Sequence, residues 1–186
     1  QQVEEKLDTD TVRRCLEALV ERHPTLRTHV EQDAETGVTM QRVVPMLEYE
    51  LALDVFVEDD AAGSSAASGS VPRREAFMAR LYEAPFDLHA GPWVRFGLLR
   101  HASDAGGGST LVAAMHHIAG DEWSTGVLDR ELRVLTSAAA DTPSLSSQQL
   151  AALPALPQLT VQYTDFAHWQ REWLSVVSES QLAYWR

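Results

Sequence analysis

The sequence predicts an α/β (α+β) fold, a mixed and largely antiparallel sheet with helices packed against it. Three observations carry this expectation. Short apolar or alternating runs bounded by turn residues read as strands, and segments with apolar residues every three or four positions read as helices. The two kinds of segment are interleaved along the chain. Two of the strand-like runs are joined by a hairpin-length turn at Asp33 to Gly37, which favours antiparallel pairing.

Taken in order, 3–7 reads as the end of a strand, and Asp8 or Thr9 can cap a helix running to about Arg22. Val12, Leu16, Leu19 and Val20 form its apolar face, with Cys15 beside them as a small buried hydrophobe. The run 26–32 alternates as a strand, and 38–44 is its returning partner, ended by Pro45. A further strand is expected over 48–57, followed by an acidic, then Ala/Gly/Ser-rich insertion over 58–71 with no periodicity. Pro72 stands at the favoured first-turn position of a helix lasting to about Glu83, with Phe77, Leu81 and Met78 toward the core. A shaped loop, 85–92, leads into a strand over 93–100, and a glycine-rich turn at 106–109 leads into the apolar run 111–114. This turn precedes a strand and opens no helix, so it is not a phosphate cradle. Ser124 or Thr125 is the expected cap of the next helix, with the stripe Val127, Leu128, Leu132 and Leu135. The proline- and serine-bearing stretch 138–157 reads as a linker. From Tyr163 the pattern is helical again, with Phe166, Ala167, Trp169, Trp173 and Leu174 along one side.

Composition excludes several classes of function. The chain has 186 residues with 45% hydrophobic and 23% charged, as expected of a globular protein with a real core or one half of a larger one. A formal net charge of −12 is the wrong sign for binding nucleic acid or an anionic membrane surface. The single cysteine, Cys15, cannot form an internal disulfide and suits a reducing compartment. No apolar run approaches the ~20 residues of a membrane span, so the cytoplasm is the expected location. The opening Gln-Gln-Val-Glu-Glu and an end inside a helical pattern lead us to expect a fragment of a longer protein.

The stretch Met115-His116-His117-Ile118-Ala119-Gly120-Asp121-Glu122-Trp123-Ser124 carries the chemistry. It follows an apolar strand expected to be central and buried on both faces, so successive side chains alternate. On that pattern His117 shares a face with Met115, Ala113 and Leu111, and His116 shares one with Ala114 and Val112. Adjacent strand histidines diverge, and no cysteine or further histidine stands at ligand spacing, so a metal site is not expected. An imidazole titrating near neutrality is suited to general base chemistry.

The pattern His-His-x-x-x-Asp, followed by Trp-Ser, resembles the HHxxxDG signature of the condensation domains of non-ribosomal peptide synthetases. These belong to the chloramphenicol-acetyltransferase-like superfamily. Three other stretches resemble the same family, in its order. Arg22-His23-Pro24-Thr25-Leu26-Arg27-Thr28 is similar to RHExLRTxF, with Pro24 in place of Glu. Pro85-Phe86-Asp87-Leu88, followed by Gly91-Pro92, is similar to PFDLxxGP. The stretch from Tyr163 through Asp165, Phe166, Ala167, Trp169 and Gln170 to Gln181-Leu182-Ala183-Tyr184-Trp185 is similar to YxDYAxWQ…QLxYW.

This resemblance implies a chloramphenicol-acetyltransferase-like lobe, the N-terminal, donor-side lobe of a condensation domain, spanning 1–186 without its first strand and without the C-terminal lobe. It implies amide-bond formation between acyl and aminoacyl thioesters carried on the phosphopantetheine of partner carrier proteins, with no directly bound cofactor. The implied partners are peptidyl or acyl carrier proteins, the C-terminal lobe and adjacent synthetase domains. His117 becomes the catalytic residue, as a base or as a group that positions the amine or stabilises a charged intermediate. His116 and Asp121 hold the loop, and Arg27 is expected to pair with Asp121 beneath it. Gly120, Glu122, Trp123 and Ser124 are expected along the substrate channel. Glu122 replaces the family's glycine, which leaves open a decayed docking or scaffold module, and a stand-alone CoA-dependent O-acyltransferase of the same superfamily is the other alternative.

Overall fold

The computed structural model describes residues 2–3, 8–57, 73–101 and 108–186. The chain forms two compact units, Gln1–Leu156 and Pro157–Arg186. The expected insertion at 58–71 and part of the glycine-rich turn at 106–109 lie outside the described residues.

The first unit is built on a four-stranded sheet in the order β1 (Gln2–Val3), β6 (Ser109–Met115), β5 (Val94–Arg100) and β4 (Leu53–Val57). β6 pairs antiparallel with both neighbours, and β4 runs parallel to β5. This is the mixed sheet that the interleaved pattern predicts. The pairs Phe96 with Ala113 and Leu98 with Leu111 share one face of the sheet. That face is covered by α1 (Thr9–Arg22), α3 (Glu122–Asp141) and α4 (Ser147–Ala151), and the core there includes Leu16, Leu19, Val94, Phe96, Leu98, Leu111, Leu132 and Leu135. The opposite face carries Leu99 and Val112, against which Phe77 and Leu81 of α2 (Arg73–Tyr82) are buried. Close approach of α2 depends on Gly97. A Cβ there would lie 2.3 Å from Leu81 Cδ1 and 2.9 Å from Phe77 Cζ.

α1 forms where its apolar spacing places it, and Asp8 is its cap, accepting from the Thr11 N–H at 2.8 Å and hydroxyl at 2.7 Å. Cys15 is fully buried, and burial pushes its thiol up to about 11. Pro24 then starts a single 3-10 turn, Pro24–Arg27, so β2 (Thr28–Gln32) begins two residues later than the alternation predicts. β2 pairs with β3 (Thr39–Val43) as a separate antiparallel hairpin. Its turn is held by Asp33, whose side chain accepts from the Glu35 and Thr36 N–H groups, and by Gly37 at φ 68°.

Two further boundaries differ. The strand expected over 48–57 occupies only β4, because Glu48 and Tyr49 close a turn onto Pro45 and Met46. The stretch 138–157 is not a linker. α3 continues to Asp141, Ser146 caps α4, and Leu150 and Leu156 are buried in the main core. Leu145, Leu153 and Ala151 pack beside them, and this apolar content outweighs the prolines, of which Pro143 and Pro154 sit in turns. The second unit is α5 (Tyr163–Trp185), along which the rings of Tyr163, Phe166, Trp169 and Trp173 follow one another at 5.9, 5.7 and 5.9 Å between centroids.

We expect Gly97→Ala to lower the unfolding free energy by about 1–3 kcal/mol through overpacking, and Leu81→Val in the same chain to recover part of it. Equal stability of Gly97→Ala and wild type in urea would contradict the close contact. The caps give a pH dependence. The Thr11 hydroxyl and N–H hold the Asp8 carboxyl below its ordinary range, and Ser124 does the same for Asp121. Their contribution is complete above the ordinary carboxylate value and disappears as pH falls through the lower folded value. Stability should therefore decline below about pH 4. Asp8→Asn, which still caps, should show a shallower decline and little change at neutral pH; an equally steep acid limb would refute this.

Candidate functional site

β6 ends at Met115, and the histidine pair occupies the turn that follows. The His116 N–H still donates to the Trp93 carbonyl at 2.9 Å, which carries the ladder one residue past the strand. The Ala119 N–H then donates back to the His116 carbonyl at 2.9 Å and closes the turn. Trp93 is itself fixed, 1% exposed, with its indole N–H on the Leu88 carbonyl. The strand alternation expected for the two histidines therefore stops before His117.

His116 is half-buried, and two neighbours hold its ring. Its Nδ1 accepts from the Ile118 N–H at 3.1 Å, so the neutral ring carries its proton on Nε2. Phe86 meets the ring edge-on at 6.0 Å, and the Arg95 guanidinium lies 4.0 Å over Phe86. Arg95 in turn donates to the carbonyls of Ala84 and Pro85. The Pro-Phe-Asp-Leu stretch thus acts as an anchor under the first histidine. Within it, Asp87 accepts from the N–H groups of His89 and Ala90, and Gly91 turns at φ 59°. His117 is exposed.

Asp121 is the N-cap of α3. Its carboxylate accepts from the Ser124 N–H at 2.8 Å and the Ser124 hydroxyl at 2.7 Å, and its own N–H donates to the Ser124 hydroxyl. These bonds, with a smaller contribution from the charge of His117, hold the carboxyl below its usual range. The expected cap, Ser124 or Thr125, is corrected to Asp121: Ser124 is the third residue of the helix and closes a reciprocal capping box. Glu122 is the first residue of α3, exposed, in the first turn where the helix dipole favours a carboxylate. Trp123 projects with 80% of its surface exposed. A side chain at Gly120 would crowd its neighbours, since a Cβ would meet Met115 Cε at 2.9 Å and Ser124 Cβ at 3.0 Å.

The expected pair of Arg27 with Asp121 is not formed. Arg27 ends the 3-10 turn begun by Pro24, and its guanidinium donates to the Val44 carbonyl at the start of the loop after β3. Its Nε and the hydroxyl of Tyr49 are both buried without a hydrogen bond, and burial pushes the tyrosine up to about 12. Asp121, meanwhile, is committed to its helix cap.

A carboxylate–guanidinium brace exists elsewhere, between Arg22 of the first motif stretch and Glu131, which lies outside the motifs. Glu131 of α3 is 3% exposed, and Arg22 grips it with two bonds, Nε to Oε2 at 3.0 Å and an Nη to Oε1 at 3.1 Å. His23 Nε2 lies 2.8 Å from Oε2. Burial alone raises the Glu131 carboxyl, but the bonds from Arg22 and His23 more than reverse this and keep it below the usual range. Arg22 also donates to the Ala151 carbonyl at 3.1 Å. The sequence does hold a signal for it: Glu131 falls within the stripe Leu128, Leu132, Leu135, and a carboxylate on an apolar face must be paired.

An apolar pocket runs over the Leu111, Ala113 and Met115 face of β6, walled by Leu19, Thr125 and Leu128. Among the described residues, no three His, Cys, Asp or Glu side chains are grouped to hold a metal ion, and no helix is long and apolar enough to cross a membrane.

Comparison with known proteins gives this arrangement its family. A model of the condensation domain matches residues 1–186. The chain is 32% identical over 182 residues to one of the linear gramicidin synthase subunits of Brevibacillus parabrevis, covering 97% of this chain and 3% of that protein. It is 36% identical over 180 residues to the phosphinothricin tripeptide synthetase PhsC of Streptomyces viridochromogenes, covering 96% of this chain and 15% of that protein. Two solved structures share the fold. One is the epimerization domain from the third module of tyrocidine synthetase B, with a TM-score of 0.72, 23% identity, and coverage of 99% of this chain and 37% of that one. The other is the starter condensation domain of rhizomide synthetase RzmA, with a TM-score of 0.72, 17% identity, and coverage of 99% and 40%. The chain therefore spans a small part of the synthetases it matches and under half of the solved domains. With a match over its whole length and relatives above 30% identity, the chain belongs to the condensation domain family.

Proposed function

We propose that this chain is the donor-side lobe of a condensation domain that joins a carrier-bound acyl thioester to the amine of a carrier-bound aminoacyl thioester. The observation that carries the reading is the contrast between the two histidines. His116 is locked by the Ile118 N–H and Phe86, whereas His117, one residue on, is exposed on the turn between β6 and the capped start of α3. An imidazole so placed accepts a hydrogen bond from the attacking amine and takes its proton as the new C–N bond forms. The thioester C–S bond then breaks, and the proton leaves with the thiol. Tethering both reactants on phosphopantetheine arms supplies part of the rate through proximity. The same ring, once protonated, stabilises the negative charge on the tetrahedral carbonyl oxygen.

The partners of this reading are carrier proteins, the C-terminal lobe that completes the channel, and the adjacent synthetase domains, in the cytoplasm. Glu122 is compatible with a live site. At the first position of α3 it occupies ordinary helical backbone, its side chain is exposed, and its charge suits the helix N-terminus.

In the full-length protein with loaded carrier proteins, His117→Ala should lower the rate of condensation by about 10²–10⁴-fold, while the 186-residue chain alone should give no product. A His117→Ala protein with near wild-type turnover, or robust product from the chain alone, would overturn the proposal. Glu122→Gly should change the condensation rate by less than about threefold, since the first turn gains little from either residue. A large gain of activity would instead mark Glu122 as a lesion in a decayed site.

A further inference from the structure

The proposed chemistry of His117 makes no use of the apolar pocket over β6, yet the pocket reaches the same turn. Its volume is about 150 Å³, and the buried side chains of Leu19, Val94, Phe96, Leu111 and Leu132 form its deep part. It opens at Ala113, which is exposed although it stands mid-strand between buried Val112 and Ala114. Two observations bring one end of the pocket to the motif. Met115 lines it, and the Met115 ε-methyl closes over Gly120, where an added Cβ would stand 2.9 Å away. On the helix side, Asp121, Thr125 and Asp129 recur every four residues and so share one side of α3. Thr125 and Asp129 line the pocket, the Thr125 N–H donates to the Asp121 carbonyl at 3.1 Å, and the charge of His117 acts on the Asp121 carboxylate. From Met115 to Leu111 the pocket follows β6 for about 13 Å, at the usual rise of a strand.

The lining selects its ligand. Among the lining residues only Thr125 and Asp129 carry hydrogen-bonding side chains, and both are engaged. The Thr125 hydroxyl donates to the Glu122 carbonyl at 2.6 Å, and the Asp129 carboxylate accepts from Arg133 Nε at 3.0 Å. A polar group entering here would lose its water and gain no partner, and an anionic one would also meet the charge of Asp129. A hydrocarbon group gains by the same transfer. An apolar cavity of about 150 Å³ holds a benzene-sized molecule.

We propose that this pocket is a side-chain subsite, taking a compact, uncharged aromatic or branched aliphatic group from one of the two thioester substrates, with Ala113 setting the size it accepts. The inference rests on the proposed condensation reaction and adds the class of substrate that the reaction joins. Leu128, half-buried on α3, bounds the subsite from the helix side.

Two variants of the full-length protein test this. Ala113→Leu puts an isobutyl group where a methyl stands and fills the pocket, and Leu128→Ala widens it. The donor carrier is loaded with phenylalanyl or alanyl groups against a fixed acceptor, and the acceptor is then varied against a fixed donor. In the arm whose substrate uses the pocket, Ala113→Leu should lower the phenylalanyl-to-alanyl ratio of kcat/KM by about tenfold or more. Leu128→Ala should raise the ratio of naphthylalanyl to phenylalanyl in the same arm. The arm that responds identifies the donor or the acceptor as the source of the group. Ratios equal to wild type in both arms overturn the inference. Equal ratios together with a lowered thermal unfolding temperature in Ala113→Leu would show another part of the chain filling the pocket, which overturns it equally. Should one variant fail to fold, the ratio in the other decides. A binding measurement separates this failure from that of the parent reading. Phenylalanyl-pantetheine amide, which needs no turnover, should bind wild type about tenfold more tightly than alanyl-pantetheine amide, and Ala113→Leu should lose the preference. That preference alongside full turnover in His117→Ala removes the role of His117 and leaves the subsite. No preference alongside lost turnover in His117→Ala removes only the subsite.

Discussion

A carboxylate buried to 3% exposure needs partners, and the first unit is arranged around the ones Glu131 has. Arg22 and His23 reach it from the end of α1, and Arg22 also reaches the Ala151 carbonyl at the end of α4. Three helices on one face of the sheet thus meet at one charged group. Ten residues separate Glu131 from Asp121, about 15 Å along a helix at 1.5 Å per residue. The helix whose first turn carries the motif aspartate is therefore pinned at both places, by the capping box at one and by Arg22 and His23 at the other. The arrangement links two motif segments far apart in sequence, Arg22-His23 and the loop through Asp121, by way of α3.

The loop inherits its shape from what flanks it. β6 delivers His116 in register with Trp93, and the ladder ends there because the Ala119 N–H turns back to the His116 carbonyl. One histidine is consumed by structure, with its Nδ1 on Ile118 and its edge on Phe86. The other is left exposed. Gly120 allows Met115 and Ser124 to close around the turn, and the aspartate that follows is spent on the helix cap. A paired-histidine motif built this way holds one ring in the turn and leaves the other open to solvent.

Much of this is legible in the sequence, and where it is not the causes are physical. The stripes of α1 and α3 announce themselves by period, and β6 by a short apolar run, because burial on one face or on two enforces each pattern. The start of α3 is easily misplaced because Ser124 and Thr125 are good caps in isolation, whereas the Asp-x-x-Ser box puts the cap at Asp121. The stretch 138–157 looks like a linker by its proline and serine content, yet four of its leucines pack on or beside the core. The family pattern sends Arg27 to Asp121, and the 3-10 turn begun by Pro24 sends it to Val44 instead. The brace through Glu131 is visible only as a carboxylate inside an apolar stripe. Its partners sit more than a hundred residues away, beyond the reach of any local pattern.

The central claim is that Arg22 and Glu131 are energetically joined across the α1–α3 contact, and a double-mutant cycle measures this directly. Unfolding free energies of wild type, Arg22→Ala, Glu131→Ala and the double variant should give a coupling of about 1–3 kcal/mol. Additive losses, with coupling near zero, would mean that the two side chains merely lie side by side, and that this pair does not help to hold the helix carrying the motif aspartate.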